Sequence, residues 1–439
     1  MFLAPGAAWS PTLVRVPILT RRNLVVLVSG AALFSGFRFG HARLARPAAP
    51  SGPLSDDAQA LIARAWKGLD PTKVLDTHVH VVGLGTGGSG CSVGERMQSM
   101  ANPAEYFKFS IYLNASGVND LSRADQQYVE RLAGLVSSQR PHGRLLLFAF
   151  DRTYDEAGKP LPEDTEFFTP VEYVASLAKA RPDLFVPCAS VHPYRLDAVD
   201  ALEKAASLGC IAVKWLPNAM NIDPASSRCD ASYEAMARLG LTLITHAGEE
   251  KAVHSEERQR LGNPLLLRRA LEHGVKTVVA HCASLGQNPD LDAPEKPWVD
   301  NFDLFMRLMG EPKWKGLLFG EASALTLVNR VGRPLETVLR DDALQARTVN
   351  GSDYPLPAIN ALMQTGAIVK AGFLTEDERV LLNEIDRHDP LSFDFVMKRA
   401  LRLKTAEGEH RLADSLFMPS PEVFPRLAQL DGVKPPPDR

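Results

Sequence analysis

The chain carries the stretch Asp76-Thr77-His78-Val79-His80 inside a run of β-branched and apolar residues. That run, from Lys73 to Val82, has the composition of a β-strand, and it stops at Gly83-Leu84-Gly85. Side chains two apart on a strand point to the same face, so His78 and His80 can bind one metal ion together. A single His-x-His pair is weak evidence, and the rest of the chain has to support it.

Support comes from four residues in or just past later apolar strands, namely Lys214, His246, His281 and Asp353. Polar residues at the carboxyl ends of successive strands collect at the mouth of a parallel barrel. Histidine and carboxylate side chains are ligands for a zinc-like ion. The recurrence therefore predicts a metal site at a barrel mouth.

Strand and helix patterns alternate along most of the chain. Helical patterns separate eight predicted strands, at 74–80, 145–150, 185–191, 211–215, 241–246, 277–281, 316–320 and 348–351. This alternation predicts an α/β fold, the (β/α)8 or TIM barrel. Closure follows from the site, because Asp76 and Asp353 lie on the first and last strands and can meet only if the sheet closes. No Gly-x-Gly-x-x-Gly motif opens a helix, which argues against an open dinucleotide-binding sheet.

Two additions to the barrel are predicted. Residues 83–120, rich in Gly and Ser, are expected to form a loop insertion over the mouth. The tail from Thr375 carries helical patterns at 376–385 and 392–403, which we expect to close one face of the barrel. Residues 51–439 then form one domain.

Composition limits the classes of function. The chain has 439 residues, 45% hydrophobic and 23% charged, which is typical of a globular protein. A net charge of −3 gives no reason to expect a nucleic-acid partner, and a neutral or small anionic molecule is the more natural substrate. The five cysteines are scattered, which indicates neither a disulfide framework nor a thiolate zinc site. Nothing decides the oligomeric state, and a homo-oligomer is compatible with the sequence.

The amino terminus has the features of an export signal. Arg21-Arg22 precedes an apolar run from Leu24 to about Phe37, and a Pro/Ala-rich stretch follows to Pro53. The pattern resembles a twin-arginine signal, and the run is short for a membrane span of ~20 residues. We therefore expect residues 1–50 to be signal and linker, the protein to be periplasmic, and no stable membrane partner after export. The alternatives are an uncleaved membrane anchor and a misassigned start codon.

Five motifs, taken in order and spacing, resemble the amidohydrolase superfamily, in its amidohydrolase-related or type 2 branch. The resemblance covers most of residues 73–403. The motifs are Asp-x-His-x-His on the first strand, Ala212-Val213-Lys214-Trp215-Leu216-Pro217 on the fourth, Thr245-His246-Ala247-Gly248 on the fifth, Ala280-His281 on the sixth and Gly351-Ser352-Asp353-Tyr354-Pro355 on the eighth.

The resemblance implies one or two divalent metal ions, with zinc as the expected element. His78, His80 and Asp353 would hold one ion, while His246 and His281 would hold a second or shape the first. In two-metal members a lysine in the place of Lys214 is N6-carboxylated and bridges both ions.

Lys214 also has a second reading, which the sequence leaves open. Its ammonium would then pair with a substrate carboxylate or with an acid such as Glu249 or Glu321.

Catalytic roles follow from the expected metal. A divalent ion lowers the pKa of a water molecule, and a carboxylate beside that water can take its proton, which is the role expected for Asp353 with His281 as its neighbour. His192, just past the third strand, would stabilise an oxyanion or orient the substrate, with plain packing as an equal alternative. Position alone suggests five pocket walls, Tyr194, Trp215, Asn218, Glu249 and Arg330.

The leading hypothesis is a metal-dependent hydrolase in which activated water attacks an amide, lactone or ester carbonyl of a small molecule. A single-zinc, non-oxidative decarboxylase or hydratase of the same superfamily is the alternative, and Lys214 favours hydrolysis over it. The hypothesis from another class is an exported, non-catalytic binding or scaffold barrel, for which missing ligands would be expected.

Overall fold

A computed structural model describes residues 52–253 and 255–430 of the chain. The predicted signal and linker, residues 1–50, lie outside the described residues. The described part contains eight parallel strands that form the barrel, numbered here β1 to β8. Their bounds are Leu75–His80 (β1), Arg144–Phe148 (β2), Phe185–Cys188 (β3), Ala212–Trp215 (β4), Thr242–His246 (β5), Thr277–Ala280 (β6), Leu318–Glu321 (β7) and Thr348–Val349 (β8).

The strands pair in chain order and the barrel closes. Strands β1 to β3 form one parallel sheet and β4 to β8 another. A bridge between Ala189 and Val213 joins β3 to β4. At the other seam Val79 bridges to Tyr354, and Thr77 N donates to Asn350 O at 3.0 Å. The prediction of a closed (β/α)8 barrel is confirmed, and each of the eight strands lies within a few residues of its predicted position.

Helices surround the barrel in an outer layer. Within the described residues, no helix combines the length and the apolar composition that a membrane crossing requires. The α-helices of this part of the chain are Asp56–Trp66, Glu95–Gln98, Pro103–Ala115, Ala124–Ser138, Val171–Ala180, Ala198–Ser207, Pro217–Met220, Asp230–Leu239, Arg268–Glu272, Asn301–Gly310, Arg333–Arg340, Asp342–Gln345, Thr365–Lys370, Glu376–His388, Pro390–Ala400 and Asp414–Phe417.

Three short antiparallel pairs lie outside the barrel among the described residues. They join Ser92–Val93 to Phe167–Phe168, Gln287–Pro289 to Trp298–Asp300, and Arg402–Thr405 to Gly408–Arg411. The second pair shortens a helix whose sequence pattern predicts it over 298–309: residues 298–300 pair as a strand, and the helix begins at Asn301.

The barrel interior is filled by apolar side chains from successive strands, among them Leu146, Val186, Ile244, Val278 and Phe319. Parallel strands with helices outside and side chains inside are buried on both faces, and every residue of β5 is buried. The polar side chains predicted to bind metal therefore lie at the carboxyl ends of the strands, where the packed interior stops.

The amino-terminal end of the barrel is closed by the chain's tail. Phe424 is fully buried in the interior cluster, together with Leu75 and Ile211 at strand beginnings. Thr242, the first residue of β5, donates from its hydroxyl to Val423 O at 2.6 Å. This segment closes the barrel face, and the expectation that the two tail helices would do so is corrected.

Those two helices, Glu376–His388 and Pro390–Ala400, join the outer layer. They pack with Asp56–Trp66, and the rings of Trp66 and Phe395 lie 4.5 Å apart. Glu376–His388 buries one stripe, through Leu382 and Ile385, as an amphipathic surface helix does, whereas Pro390–Ala400 is buried on nearly all sides. The fold therefore uses them to cover strands from outside.

The insertion predicted over the mouth is present, but it is helical. Residues 83–120 contain Pro103–Ala115, whose proline stands in the first helical turn, a favoured position. Gly- and Ser-rich residues ahead of it concealed this helix in the sequence. Tyr112 donates from its hydroxyl to Ala252 O at 2.9 Å and ties the helix across the mouth. We call this helix the lid helix.

We expect Phe424→Ala to lower the free energy of unfolding by about 3–5 kcal/mol, because the substitution leaves a cavity at the closed end of the barrel. Val380→Ala is the matched control, since Val380 is 56% exposed and its truncation changes stability by roughly 0.5 kcal/mol or less. Urea unfolding followed by fluorescence measures both. Equal effects of the two substitutions would show that the tail does not close the barrel.

Gly351→Ala should destabilise the protein by about 1–3 kcal/mol, because the added methyl would lie 2.5 Å from His78 Cβ and 2.6 Å from a Glu321 oxygen. Gly134→Ala is the control. Gly134 lies inside the helix Ala124–Ser138 with open space around it, so alanine there should stabilise by roughly 0.5–1 kcal/mol. Thermal unfolding of both variants tests the packing around Gly351. Unchanged stability in Gly351→Ala would contradict the close contacts described.

Candidate metal centre

The carboxyl ends of the strands open into one cavity of about 350 Å³. All six residues predicted to bind metal line this cavity: His78, His80, Lys214, His246, His281 and Asp353. They come from β1, β4 and β5 and from the turns directly after β6 and β8. The barrel thus brings together side chains that are up to 275 positions apart in the sequence, from His78 to Asp353.

Asp353 is the centre of the cluster. Its Oδ1 lies 3.0 Å from His80 Nε2 and 3.3 Å from His78 Nε2, and its Oδ2 lies 3.7 Å from His281 Nε2. Ligand atoms of His78, His80 and Asp353 all lie within 4.8 Å of one another, which suits one ion held by three residues. Three imidazole nitrogens therefore face one carboxylate at the base of the cavity.

Glu321 orients the first histidine from behind. It is fully buried at the end of β7, and its Oε2 lies 3.0 Å from His78 Nδ1. Burial acts to raise the pKa of Glu321, but the bonds from His78 and Ser323 lower it below its usual value. An ionised carboxylate only accepts hydrogen bonds, so His78 carries its proton on Nδ1 and presents the Nε2 lone pair to the cavity.

Ser323 orients the His281 ring in the same way, because its Oγ lies 2.7 Å from His281 Nδ1. Burial lowers the pKa of His78 to about 4 and that of His281 well below its usual value. Both rings are therefore neutral at neutral pH, which is the form in which imidazole binds a metal. The same network allows a second trio, because His78, His281 and Glu321 also offer atoms within 4.8 Å of one another.

His246 completes the ring of histidines. Its Nδ1 lies 3.5 Å from Glu250 Oε2, and its ring centre is 5.5 Å from that of His281. Its Nε2 is buried and finds no hydrogen-bond partner among the described residues. A buried nitrogen without a partner is costly, and a divalent cation is the partner that this set of imidazoles and carboxylates suits. The residues present therefore fit a metal.

Lys214 lies beneath this ring of histidines and is 1% exposed. Its Nζ is 3.3 Å from His78 Nε2 and 4.9 Å from the centre of the Phe148 ring. No carboxylate among the described residues approaches within 4.0 Å of it. Burial lowers the pKa of Lys214, against the opposing pull of Asp353 and Glu321. The amine therefore loses part of its tendency to be protonated.

Neither acid considered for Lys214 forms an ion pair with it. Glu321 is taken by His78, and Glu249 pairs with Lys251 at 3.2 Å.

The backbone at Asp353 adopts a left-handed conformation, with φ of 61°. Such a conformation is unfavourable for a residue other than glycine and persists only where its surroundings enforce it. Asp353 N donates to His78 O at 2.8 Å, Ser352 N donates to Asp76 Oδ1 at 2.8 Å, and the buried Lys398 donates from Nζ to Gly351 O at 2.5 Å. These bonds fix where the carboxylate points.

Consecutive left-handed residues also follow β6. His281, Cys282 and Ala283 have φ values of 56°, 50° and 51°. The chain turns sharply there, so the His281 ring enters the cavity directly at the end of the strand. Cys282 is buried, as expected of a packing residue.

His192 and four of the five predicted pocket walls, Tyr194, Trp215, Asn218 and Glu249, lie outside the cavity. His192 is fully buried, with Nε2 2.8 Å from Met220 O, and Tyr194 N donates to its Nδ1 at 3.2 Å. Both ring nitrogens are thus used within the protein, and His192 has no free atom to offer a substrate. The Tyr194 hydroxyl accepts from Asp223 N at 3.0 Å and is likewise committed.

Trp215 follows Lys214 on β4 and points to the opposite face, as alternation on a strand requires. Its indole N–H donates to Val191 O at 2.8 Å. Asn218 donates to Gly248 O at 3.2 Å and to Gln259 Oε1 at 3.0 Å, and so holds two loops together. Arg330, in contrast, does line the cavity.

The site positions of Ser323 and Glu250 were not predicted from the sequence, and Glu321, which the sequence suggested as a partner for Lys214, pairs with His78 instead. An acid at the end of the seventh strand was the available signal for Glu321, but the predicted strand stopped one residue earlier, at Gly320. The partner relation between Glu321 and His78 connects residues on two different strands, and no local pattern contains it.

The upper walls of the cavity are apolar. Ile111 and Tyr112 of the lid helix cover it from one side. The other apolar wall residues include Phe150, Phe167, Leu216, Leu285, Leu327, Leu356, Ile359 and Leu362. A small ligand with an apolar body fits such a chamber above a polar floor.

Comparisons with known proteins agree with this picture. The family model described as Amidohydrolase matches residues 75–359, well over half of the chain. No curated protein matches.

Several solved structures are similar in outline. One is an uncharacterised TIM-barrel protein from Bordetella bronchiseptica, with 14% identity, 71% of this chain and 99% of that chain covered, and a TM-score of 0.41. Another is a probable 2-pyrone-4,6-dicarboxylic acid hydrolase from Acinetobacter baumannii, with 12% identity, 73% and 96% covered, and a TM-score of 0.42. A third is 2,6-dihydroxybenzoate decarboxylase from Rhizobium, with 11% identity, 73% and 98% covered, and a TM-score of 0.39.

Such low structural similarity decides neither fold nor function. The barrel described above and the match over residues 75–359 carry the assignment, and they confirm the resemblance found in the five sequence motifs. The chain belongs to the amidohydrolase family.

Proposed function

We propose that the protein is a metal-dependent hydrolase in which water attacks an amide, lactone or ester carbonyl at the mouth of the barrel. The observation that carries the proposal is the convergence of three imidazole Nε2 atoms on Asp353 in one cavity. Neutral imidazoles facing a carboxylate at the base of a largely apolar chamber suit a metal-assisted hydrolysis.

His78, His80 and Asp353 would hold one divalent cation, for which zinc is the best match to nitrogen and oxygen ligands. When bound, such a cation lowers the pKa of a water molecule and polarises a carbonyl oxygen. Glu321 keeps the His78 ring oriented, and a partner of this kind raises the basicity of the ligand and fixes its tautomer.

Asp353 is placed to move the proton. Its carboxylate faces the cavity, where it can accept a proton from the attacking water and pass it to the leaving group. Burial acts to raise the pKa of Asp353, but the neighbouring His78 and His281 rings bring it well below its usual value. The group is therefore ionised, as a proton acceptor must be, and His281 Nε2 lies 3.7 Å from its Oδ2.

Lys214 supports a carboxylated form. A buried lysine ammonium without a carboxylate partner is costly, whereas a neutral amine is a nucleophile. Its nitrogen would form a bond to the carbon of carbon dioxide and lose a proton, which gives a carbamate anion. A carbamate at this position lies beside His78 and would offer oxygen ligands to two ions. In that form Lys214, together with His246 and His281, would hold a second divalent ion in addition to the one held by His78, His80 and Asp353.

His80→Ala should abolish turnover and lower the bound metal while the barrel stays folded, because the ligand is not part of the packed interior. Metal analysis of purified protein, esterase and lactonase assays, and thermal unfolding measure the three properties. His410→Ala, in the hairpin Arg402–Arg411 outside the barrel, is the control and should change none of them. Full activity in His80→Ala would remove His80 from the mechanism.

Asp353→Asn should keep much of the metal but reduce the rate by about 10²–10⁴, because an amide cannot take up the proton. The amide oxygen still offers a ligand of nearly the same shape. Rates across the pH range, compared with metal content, separate the two roles of the side chain. Wild-type rates at every pH would show that Asp353 transfers no proton.

A further inference from the structure

One guanidinium in the cavity wall lacks a counter-ion. Arg330 lines the cavity and donates from Nη1 to Ser284 Oγ at 3.0 Å. Its Nε is buried and finds no hydrogen-bond partner among the described residues, and no carboxylate of that part of the chain lies within 4.0 Å of the group. A guanidinium has five N–H donors in a planar fork, so most of its hydrogen-bonding capacity is unused.

Of the other cations that line the cavity, Lys108 and Lys251 are paired with acids, whereas Lys214 lies beside His78. Lys108 lies 3.1 Å from a Glu105 oxygen, and Lys251 pairs with Glu249. Elsewhere among the described residues, the partly buried Arg402 pairs with Glu378 at 2.8 Å, and the partly buried Arg347 donates to backbone carbonyls from both its Nε and its Nη atoms. Arg330 therefore differs from Lys108 and Lys251 in having no carboxylate beside it, and from Arg347 in leaving its Nε without a hydrogen-bond partner.

Burial lowers the pKa of Arg330 below its usual value, against the pull of Asp353 and Glu250. The group remains a cation, because a guanidinium does not lose its proton in proteins. It has thus been taken partly out of water without an ionic partner. Such a group binds an anion strongly, because it has already lost part of its hydration in the free protein.

The charges of the whole site favour the same ligand. Asp353, Glu321 and Glu250 give three buried carboxylates, and Lys214 and Arg330 give two cations. One divalent ion leaves a net charge of one positive unit. Two divalent ions with a carboxylated Lys214 leave the same net charge, because the lysine changes from cation to anion. In both metal states a single negative charge on the substrate makes the site neutral.

We propose that the substrate carries a carboxylate on an apolar body, and that Arg330 binds this carboxylate beside the reacting carbonyl. This inference rests on the proposed hydrolysis and names its substrate class. The carboxylate is a recognition group, separate from the bond that is cleaved. Apolar walls formed by residues such as Phe150, Leu327 and Ile359 hold the body of the molecule. A neutral analogue leaves the guanidinium unpaired and binds more weakly.

Calorimetric titration of the purified protein tests the binding. The probes are benzoate, phenylacetate and 3-phenylpropionate, which place the carboxylate at increasing distance from the ring, each compared with its amide. We expect at least one carboxylate to bind about tenfold or more tightly than its amide. If the wild-type protein binds none of the three acids better than the amides, the proposal is overturned.

Variants of Arg330 show whether the arginine or a metal holds the acid. Arg330→Met should reduce the preference for acid over amide by about tenfold, and Arg330→Lys should retain part of it, because an ammonium keeps the charge but not the fork. Arg340→Met, which removes an exposed arginine paired with Glu336, is the control. If the preference for acid over amide persists in Arg330→Met, a metal ion and not Arg330 binds the carboxylate, and the proposal is contradicted. If Arg330→Met does not fold, an undiminished preference in Arg330→Lys contradicts it.

Turnover separates this inference from the proposed function. Phenyl acetate and 4-carboxyphenyl acetate differ only in the charged group, and kcat/KM for the second should exceed that for the first in the wild-type protein. Hydrolysis of both esters at equal rates would support the proposed hydrolase activity and contradict the proposed binding of a substrate carboxylate by Arg330. The opposite outcome is binding of the acids that depends on Arg330 without any hydrolysis of esters, lactones or amides. It would support the carboxylate-binding site and contradict the proposed hydrolase activity.

Discussion

The structure depends on closure of the barrel at the seam between β8 and β1. Only there do Asp353 and the pair His78 and His80 meet, and the backbone bond from Asp353 N to His78 O joins the two strands at the same point. The contact that closes the sheet is therefore also the contact that brings the candidate metal ligands together. Gly351 lies in this seam, where a side chain would meet His78 and Glu321. A sheet left open would separate the first ligands from the last by the width of the fold.

Burying so many polar groups in one place is costly, and the layer behind the site offsets the cost. Glu321 and Ser323 each satisfy a ring nitrogen that does not face the cavity, and Lys398 bonds to the carbonyl of the turn that carries Asp353. Each of these groups is itself buried and paired, as a supporting group must be to hold a ligand rigidly. Among the described residues of the site, His80 Nδ1, His246 Nε2 and Arg330 Nε are buried without a hydrogen-bond partner, and all three residues line the cavity, where ligands can bind.

The sequence was sufficient for the strands and for placing the six candidate metal-binding residues in the cavity, for a physical reason. Buried parallel strands are short apolar runs bounded by turn residues, and the residue after each run falls at the barrel mouth. The lid helix was missed because Gly and Ser dominate the residues before it. His192, Trp215, Tyr194 and Asn218 were placed by proximity along the chain, but their directions depend on loop conformation and on strand alternation. Glu321 acts through a contact between strands, which no local pattern contains.

Crystals grown with zinc and measured at the zinc absorption edge give the most direct test of the central claim, that these residues form a divalent metal centre. We expect an anomalous peak within bonding distance of His78 Nε2, His80 Nε2 and Asp353, and a second peak beside His246 with extra density joined to Lys214 between them. A single peak with an unmodified Lys214 would restrict the account to one metal and favour the decarboxylase or hydratase alternative. A folded barrel with no peak at Asp353 would contradict the account.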